Sequence, residues 1–360
     1  MKSPACLPQE VIVEILLKLP VISLVRCTCI CKSWHSLIKN AVFFSAHLKQ
    51  GLSSANDSLF LLRNFYNHEE HLSLHFDNDE FTEYMNLDKP SKLKQYYSII
   101  GSCNGLICIA DSFWGCGNAF TLWNPCIRKT LTLPKPNITL KIHGGYQAFF
   151  GFGYDLHTDD YKVLRIAAST ENDQSTTEVY SLLSGSWKCL PTLVLKYEIL
   201  DSFSKAFVKG VFHFIASPKN AQDRMLVLGF DVGDEVLRDN LLPETFNEEI
   251  RSVLVYMESN IAIFTLDSNY QCHLWLMKKY GDLGSWIKVF IVETQEGLIP
   301  RALRFRKSGE LLLSFSEGEI VLYDLEKQQT KSLGIHKKLG DWIFLHPYVE
   351  SLMLLDKAHH

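Results

Sequence analysis

The first fifty residues carry apolar side chains at the spacing typical of short helices. Pro8 is tolerated in a first helical turn and predicts a helix start near residue 8, while Pro20 predicts its end. Between residues 11 and 19 only Glu14 and Lys18 are polar. A helix that is apolar on nearly all sides needs cover on two faces, and a fifty-residue segment can cover one. The pattern therefore predicts a helix that lacks a partner on one side.

Three further short helices are predicted in the same segment. Ser23 is the expected N-cap of the second helix, residues 29–38 form the third, and Asn40 caps the fourth. Between residues 50 and 58 the apolar spacing stops and small polar residues take over, which is typical of a linker. We therefore predict a helical module at residues 1–48 and a linker at residues 49–58.

From residue 59 onward the apolar positions alternate, which indicates β-strands. A turn followed by an apolar strand recurs at residues 104, 160, 210, 260 and 309, so the starts lie 56, 50, 50 and 49 residues apart. Each of these strands is followed by a second strand that carries one aromatic residue, and then by a third apolar run. These aromatic residues are Trp123, Tyr180, Phe230, Trp275 and Tyr323. Because these aromatic residues recur with the roughly fifty-residue repeat, we interpret them as core residues rather than as sugar-binding residues.

A period near fifty with several strands per unit is typical of a kelch-like β-propeller, in which one unit is one blade. Five units are visible, and the strand-like segments 59–76 and 342–355 are expected to combine as a sixth blade that leaves no open sheet edge. The predicted fold class is an α+β multidomain chain. A small all-α module precedes an all-β propeller of about six blades at residues 59–356. A β-sandwich and an open array of sheets are the alternatives.

Composition and charge narrow the function classes. An apolar fraction of 47% with 12% aromatic residues excludes a disordered chain. The net charge of -4 divides into +4 for residues 1–50, with six basic and two acidic side chains, and -8 for the remainder, with 30 basic and 38 acidic. Neither value indicates nucleic-acid or membrane binding. No export signal or membrane span is visible, so we expect a cytoplasmic or nuclear protein with reduced, mostly buried cysteines.

Metal and cofactor sites are not indicated. Cys27, Cys31 and His35 would share one face of a continuous helix, but a structural zinc site needs four converging ligands and no second cluster exists. His71 and His75 alternate with apolar residues, so they are expected to point to solvent from a strand. We predict no metal and no cofactor.

The sequence also contains no recognisable catalytic motif. The Gly-rich residues 115–117 and 151–153 do not precede a helix, as a phosphate-binding loop would. Asp155, Asp159 and Asp160 lie in a turn and are interpreted as solvated rather than as an acid/base pair. The prediction is a protein without catalytic residues.

The helical segment matches a known motif in some fifteen positions. They include Leu7-Pro8, Glu10, Glu14-Ile15-Leu16, Leu19-Pro20, Ser23-Leu24, Arg26, Lys32-Ser33-Trp34 and Leu37-Ile38. The segment resembles the F-box. This resemblance implies docking onto the acidic Skp-type adaptor of an SCF (Skp, cullin, F-box) ubiquitin ligase, and through it onto the cullin and RING subunits. The adaptor would cover the free face of the first helix and match the +4 charge.

The resemblance implies a set of residues that contact the adaptor, with the alternative that some of them only fill the helical core. The set is Leu7, Pro8, Ile12, Ile15, Leu16, Leu19, Pro20, Leu24, Lys32 and Trp34.

The remaining residues resemble the plant F-box-associated region. The matching runs include Asn104-Gly105-Leu106, Leu122-Trp123-Asn124-Pro125, Asp160-Tyr161-Lys162-Val163 and Tyr348-Val349-Glu350-Ser351-Leu352. The terminal run and this architecture are also similar to the pollen S-locus F-box proteins, which recognise pistil ribonucleases in self-incompatibility. Related receptors act in defence and development.

The combined hypothesis is a non-catalytic receptor that brings an unidentified target protein to a ubiquitin ligase. The acidic β region favours a basic target, such as a ribonuclease. Six residues in stretches that interrupt the repeat are predicted to contact the target, with plain solvated turns as the alternative: His143, Tyr146, Asn172, Lys219, Arg224 and Tyr280. Two other hypotheses are a ligase-independent propeller scaffold and a hydrolase or lectin built on a propeller.

Overall fold

The helices form one N-terminal group. The computed structural model describes residues 7–53, 58–66, 69–90, 97–111, 118–139, 145–170, 174–191, 193–194, 196–201, 206–219, 224–238, 241–243, 246–293, 299–315, 319–336 and 343–356. Within these ranges the chain begins with four helices. They are α1 (Gln9–Leu17), α2 (Val21–Cys27), α3 (Lys32–Ile38) and α4 (Ala41–Ser53).

Prolines and one asparagine set the helix starts. Pro8 and Pro20 hold extended backbone at the N-caps of α1 and α2. The prediction that Ser23 caps the second helix was wrong, because Pro20 itself supplies the extended residue and α2 starts at Val21. Asn40 is confirmed as the cap of α4, since its side-chain oxygen accepts a 2.8 Å hydrogen bond from the Val42 amide.

The cysteine-containing stretch differs from the prediction. Cys27 ends α2, Cys31 is the extended residue before α3, and His35 lies in α3, so the three side chains do not share one helix face. Cys29 and Cys31 are exposed free thiols in the connection, contrary to the expectation of buried cysteines. Residues 29–31 are therefore a connection and not the start of the third helix.

The α4 helix continues to Ser53, inside the stretch where a linker was predicted. Gly51 faces Val349, and a Cβ atom added at Gly51 would lie 3.3 Å from the Val349 side chain. Packing against the C-terminal segment therefore maintains a helix in a stretch of weak helix formers.

The strands form six antiparallel sheets, each of which is one blade, and five blades follow the chain order. Blade 2 contains β4 (Tyr97–Cys103), β5 (Leu106–Asp111), β6 (Phe120–Asn124) and β7 (Lys129–Thr132). Blade 3 contains β8 (Tyr146–Asp155), β9 (Asp160–Ser169), β10 (Gln174–Ser181), β11 (Ser186–Cys189) and β12 (Leu193–Val194). Blade 4 contains β13 (Tyr197–Ile199), β14 (Ala206–Val208), β15 (Val211–Pro218), β16 (Leu226–Asp231) and β17 (Val236–Arg238).

The last two blades keep the same order. Blade 5 contains β18 (Glu249–Tyr256), β19 (Asn260–Leu266), β20 (Gln271–Met277), a 3-10 turn at Leu283–Ser285 and β21 (Trp286–Glu293). Blade 6 contains β22 (Arg301–Phe305), β23 (Leu311–Ser314), β24 (Glu319–Asp324) and β25 (Gln329–His336).

Blade 1 joins the two ends of the β region. It contains β1 (Leu59–Tyr66), β2 (Glu69–Phe76), β3 (Glu83–Asn86) and the last strand, β26 (Phe344–Tyr348). The register runs from Leu59 opposite Tyr348 to Arg63 opposite Phe344. This pairing confirms the predicted composite sixth blade.

The first strand of each sheet lies next to the axis of the ring. Neighbouring blades contact each other through β26, β4, β8, β14, β18 and β22 in turn, and β22 contacts β26 to complete the circle. The sequence repeat located the other three strands of the blades but missed these inner strands. The six-bladed propeller is nevertheless the predicted fold.

Neighbouring blades pack closely face to face. Trp123, Tyr180, Phe230 and Tyr323 are buried, as their periodic spacing predicts. Between blades 3 and 4, an added Cβ atom at Gly151 would lie 2.6 Å from the Phe212 ring, and one at Gly153 would lie 2.6 Å from the Phe207 ring. Glycine is therefore required on β8 for these two aromatic rings to lie against the strand.

Three polar residues expected at the surface are buried. His75 lies 7% exposed and bonds Ser73 and the Phe81 carbonyl. Asp155 and Asp160 are also buried. Burial disfavours the charged form of Asp155, but hydrogen bonds from Lys162 and Thr158 outweigh it and hold the pKa at about 2. Strand alternation did not predict this burial, because both faces of a propeller sheet are covered by neighbouring blades.

A buried ion pair anchors blade 3. The Arg165 and Glu178 side chains are both 0% exposed, and Arg165 Nη1 lies 2.8 Å from Glu178 Oε1. Glu178 also accepts hydrogen bonds from the Asn137 and Ile138 amides, and Arg165 donates to the Ile138 carbonyl. The pair therefore ties the segment before β8 to strands β9 and β10.

We expect Glu178→Ala to lower the free energy of unfolding by roughly 3–5 kcal/mol, because it leaves a buried guanidinium without its counter-charge. The matched control is Lys188→Ala, whose partner Glu235 lies 2.5 Å away in a pair with a largely exposed lysine. That change should cost at most about 1 kcal/mol. Urea unfolding followed by tryptophan fluorescence measures both, and equal losses would contradict the assignment.

Candidate functional site

The helices share a hydrophobic core with the far end of the chain. Leu16, Leu24, Ile38 and Phe43 pack with Leu352 and Leu355, which follow β26. Cys126 and Ile127, from the turn between β6 and β7, pack against the edge of this core. The propeller thus covers one side of the helical group.

Polar contacts fix the same junction. Asn124 Nδ2 donates 2.9 Å hydrogen bonds to the carbonyls of Ser351 and Met353. Lys129 Nζ donates to the Leu355 carbonyl, and Lys307 Nζ donates to the Leu52 carbonyl in α4. These residues lie on turns that join the first to the second strand or the third to the fourth strand of a blade. We call the face formed by these turns the helix face.

The helical group leaves several large apolar side chains exposed. Ile15 is 48% exposed and Leu7 is 56% exposed, although both are large hydrophobic residues. Pro8, Pro20 and Lys32 are also exposed, while Ile12, Leu19 and Trp34 are half-buried. These eight of the ten predicted adaptor-contact residues have surface available to a partner.

Leu16 and Leu24 have no such surface, because both are 0% exposed in the shared core. Their predicted contact with a partner is corrected to core packing, which is the alternative that the sequence left open. Ile15 and Leu16 are neighbours, so about 100° of rotation around the helix separates an outward from an inward side chain.

Sequence reasoning missed four exposed apolar residues within residues 7–48. Val11, Ile22, Ile30 and Val42 are 38%, 48%, 64% and 77% exposed. Each is an apolar residue that the shared core does not use, and this excess of apolar positions was the available signal. With Leu7 and Ile15 they define what we call the exposed helical surface.

The predicted target-contact residues do not form one site. His143 and Asn172 lie outside the described residues. Lys219 and Arg224 flank the connection between β15 and β16, on the face opposite the helix face. Tyr280 lies between β20 and β21, on the helix face, and its hydroxyl is 3.0 Å from His213 Nε2.

Tyr146 is not a surface loop residue. It begins β8, is 7% exposed, and accepts a 2.6 Å hydrogen bond from Arg165 Nη2. Its hydroxyl also donates to Asn118. The structure therefore gives Tyr146 a place in the packing of blades 2 and 3 instead of the predicted exposed loop position.

The face opposite the helix face carries two depressions beside β18. The first, of about 290 Å³, is lined by Leu200, Asp201, Ile215, Met225, Ile250, Arg251, Ser252, Pro300 and Arg301. The second, of about 420 Å³, is lined by Asn247, Glu248, Glu249, Leu266, Asp267, Ser268 and Lys288. We name them the arginine pocket and the acidic pocket.

Charge and hydrogen bonds distinguish the two pockets. In the acidic pocket, Glu248 accepts bonds from Lys288, Thr265 and Trp275, and these donors outweigh burial and lower the pKa of the carboxyl group. The arginine pocket holds two guanidinium groups and one carboxylate among apolar walls. Sequence reasoning assigned neither pocket.

The described residues show neither a metal-binding cluster nor a membrane-spanning helix. This part of the chain contains no group of three or more His, Cys, Asp or Glu side chains placed to share a metal ion. None of its helices is both long and apolar enough to cross a lipid bilayer.

Two family models match the chain. The "F-box domain" model matches residues 5–45, and the "F-box associated beta propeller domain" model matches residues 59–354. The chain therefore belongs to the F-box proteins that carry an F-box-associated β-propeller.

Curated relatives from Arabidopsis thaliana agree. The chain is 26% identical to F-box protein At3g07870, with 93% of this chain and 89% of the relative covered. It is 24% identical to F-box/kelch-repeat protein At3g23880, with 90% and 89% covered. It is 26% identical to F-box protein CPR1, with 92% and 85% covered. These relatives support a substrate-receptor architecture and a plant family, and they do not assign an S-locus role.

The division between core and exposed helical surface can be tested with two neighbouring truncations. Leu16→Ala should destabilise the helical group by roughly 2–5 kcal/mol, because it leaves a cavity in a fully buried position. Ile15→Ala should change the stability by less than about 0.5 kcal/mol, since its side chain is half exposed. Hydrogen–deuterium exchange in α1 and α4 measures local opening. Equal exchange rates in the two variants would refute the division.

The His213 contact predicts a pH dependence of stability. Burial lowers the pKa of His213 to about 4, whereas an unfolded histidine titrates near 6.5. The unfolded state thus binds more protons between these values, so stability falls as the pH drops from about 6.5 to 4. The loss should approach roughly 3 kcal/mol. His213→Asn should flatten this part of the curve in urea unfolding at several pH values, and an unchanged slope would exclude His213 as its source.

Proposed function

We propose that this protein is the non-catalytic substrate receptor of an SCF-type ubiquitin ligase. The helical group binds a Skp-type adaptor, and the propeller binds a target protein. The observation that carries the proposal is the exposed helical surface. It presents large apolar side chains to solvent while the opposite side of the same helices is fixed on the propeller. Large apolar side chains left exposed in one short segment are typical of a protein-interaction site.

The adaptor recognises the surface through apolar contact and charge. Ile15, Leu7 and Val11 supply apolar area, and the +4 charge of residues 1–50 complements an acidic adaptor. Charge mainly accelerates association, so added salt should slow binding while the apolar contacts maintain the complex. Cullin and RING subunits join through the adaptor.

The receptor contributes proximity rather than chemistry. Ligase subunits elsewhere in the complex supply the ubiquitin, and a bound target meets it at a raised effective concentration. The shared core and the bonds of Asn124 and Lys307 hold the helices against the helix face. A target on the opposite face is therefore presented at a fixed distance from the adaptor. The complex acts in the cytoplasm or nucleus.

A basic target such as a ribonuclease, as in the S-locus subfamily, is the finer version of this proposal. Its support is the net charge of -8 beyond residue 50. The terminal run that carries the S-locus resemblance is largely buried, with Tyr348, Ser351 and Leu352 at 3%, 1% and 2% exposure. Because these side chains pack inside the molecule, they serve the junction with the helices and do not contact a target. The target class thus depends on charge alone.

Ile15→Asp should abolish co-purification of the adaptor, because a carboxylate would be desolvated at the centre of an apolar interface. The matched control is Leu183→Asp, which places the same charge at a 77% exposed leucine in the turn between β10 and β11. It should leave adaptor binding unchanged. The measurement is pull-down with purified adaptor and cullin, together with thermal unfolding of both variants.

The alternative is a propeller scaffold that works without a ligase. In that case, neither the full chain nor the Leu183→Asp variant would retain the adaptor, and Ile15→Asp would have no effect to measure. The proposed division is a helical part, which α4 extends to Ser53, followed by the propeller at residues 59–356. Because the shared core joins the helices to residues 352–355, the test uses the full chain rather than isolated pieces.

A further inference from the structure

The arginine pocket is built from equivalent positions of three consecutive blades. Leu200, Ile250 and Pro300 lie 50 residues apart, as do Asp201, Arg251 and Arg301. This spacing equals the blade period, so each pair of neighbours comes from the beginning of one blade, near its inner strand. Arg251 lies on β18 and Arg301 begins β22. The propeller fold therefore brings side chains from distant parts of the chain to one point near its axis.

The walls and the rim of the pocket have different chemistry. The walls are apolar and include Met225, whose flexible thioether accepts a hydrogen bond from the Ile250 amide. The charged lining residues are Arg251, Arg301 and Asp201, and Asp201 and Arg251 both act electrostatically on Arg301. Arg251 also contacts Glu249 in an exposed pair. A guest with an apolar body and one polar end would match both parts.

The two arginines of the pocket favour an anionic polar end. Burial and the neighbouring Arg251 cation lower the pKa of Arg301, while Asp201 opposes the shift. Farther along β22, desolvation lowers the pKa of the Arg304 guanidinium to about 10. No hydrogen bond or ion pair joins Arg304 to another described residue. Arg251 and Arg301 both line the pocket, so an added anion would be attracted there.

The pocket also has the position that a receptor requires. It lies at the beginnings of β18 and β22 and beside the connection that leads into β16. These elements belong to the face opposite the helix face. A protein bound there would not collide with an adaptor bound to the exposed helical surface.

From these observations we propose that the arginine pocket binds an anionic side chain of the target protein, with its apolar stem against Leu200, Ile250 and Pro300. Arginine forks match the two oxygens of a carboxylate or phosphate. This inference rests on the proposed function, because only a receptor would have a target protein whose side chain could occupy the pocket. It also qualifies the preference for basic targets: the overall charge of the β region is negative, yet its axial pocket selects an acidic anchor.

The test uses the full chain and small probes that carry the proposed chemistry. Phenyl phosphate and benzoate should bind saturably in ligand-observed NMR titrations, with dissociation constants of roughly 1–10 mM for molecules of this size. The neutral analogue benzamide should bind at least about tenfold more weakly. Tighter binding of phenyl phosphate would indicate a phosphorylated side chain, and tighter binding of benzoate would indicate an aspartate or glutamate.

Substitutions locate the binding. Arg251→Gln and Arg301→Gln should each weaken both anionic probes by about tenfold or more, because each removes a charge-assisted hydrogen bond. Arg301→Lys should retain part of the affinity. The matched control is Arg238→Gln on β17, where the arginine lies 2.5 Å from Asp231, and it should have no effect. If Arg301→Gln fails to fold, the exposed Arg251 carries the test.

Two outcomes would overturn the inference: equal binding of benzamide and benzoate, or unchanged affinity in both glutamine variants. The adaptor interaction is measured separately in the same preparations. Ile15→Asp should leave probe binding intact, and Arg251→Gln should leave adaptor binding intact. Failure of the pocket proposal is therefore distinguishable from failure of the receptor proposal.

Discussion

Everything else in this molecule depends on the pairing of β1 with β26. Five residue pairs join strands that are separated by nearly the whole β region. Without these hydrogen bonds blade 1 would lose its inner strand, and the ring would present two open edges to solvent. With them, each sheet lies between two neighbours and buries both of its faces. The same pairing brings residues 349–356 to the helix face, where they complete the core beneath α1, α2 and α4.

The junction between helices and propeller makes the two parts one mechanical unit. Apolar side chains from both ends of the chain share one core, and Asn124 bonds to the backbone of the C-terminal segment from blade 2. A rigid junction suits a receptor that must present a bound protein in one orientation. The orientation is set by the turn between β6 and β7 and by the terminal segment, so residues far from either binding surface determine the geometry between them.

The sequence predicted the architecture well because the relevant signals are local and repeated. A turn, an apolar strand and an aromatic residue recur in five blades, and the strands left at the two ends account for the sixth. The inner strands were not predicted, because the repeat was recognised from the turn that follows each of them. Helix starts were misplaced at Ser23 and Cys29 because Pro20 and the extended Cys31 decide them through backbone geometry.

The sites were less predictable for a different reason. An apolar excess in α1 predicts that a second face of the helix needs cover, but assigning Ile15 outward and Leu16 inward requires knowing where Leu352 packs. The sequence predicted Tyr146 to be a loop residue, but it lies in β8 and is hydrogen-bonded to Arg165. The charged residues of the arginine pocket, Asp201, Arg251 and Arg301, lie 50 residues apart in the sequence. Because one is acidic and two are basic, they do not form a recognisable motif.

The shared core has a consequence for synthesis in the cell. Leu352 and Leu355 emerge from the ribosome after every other part of that core, so α1 to α4 cannot complete their packing until residue 355 has been synthesised. A truncated chain would release helices with an unsupported inner side and a propeller with no last strand. Synthesis through residue 355 is thus a condition for forming the complete core of the helical group, and shorter products lack that core.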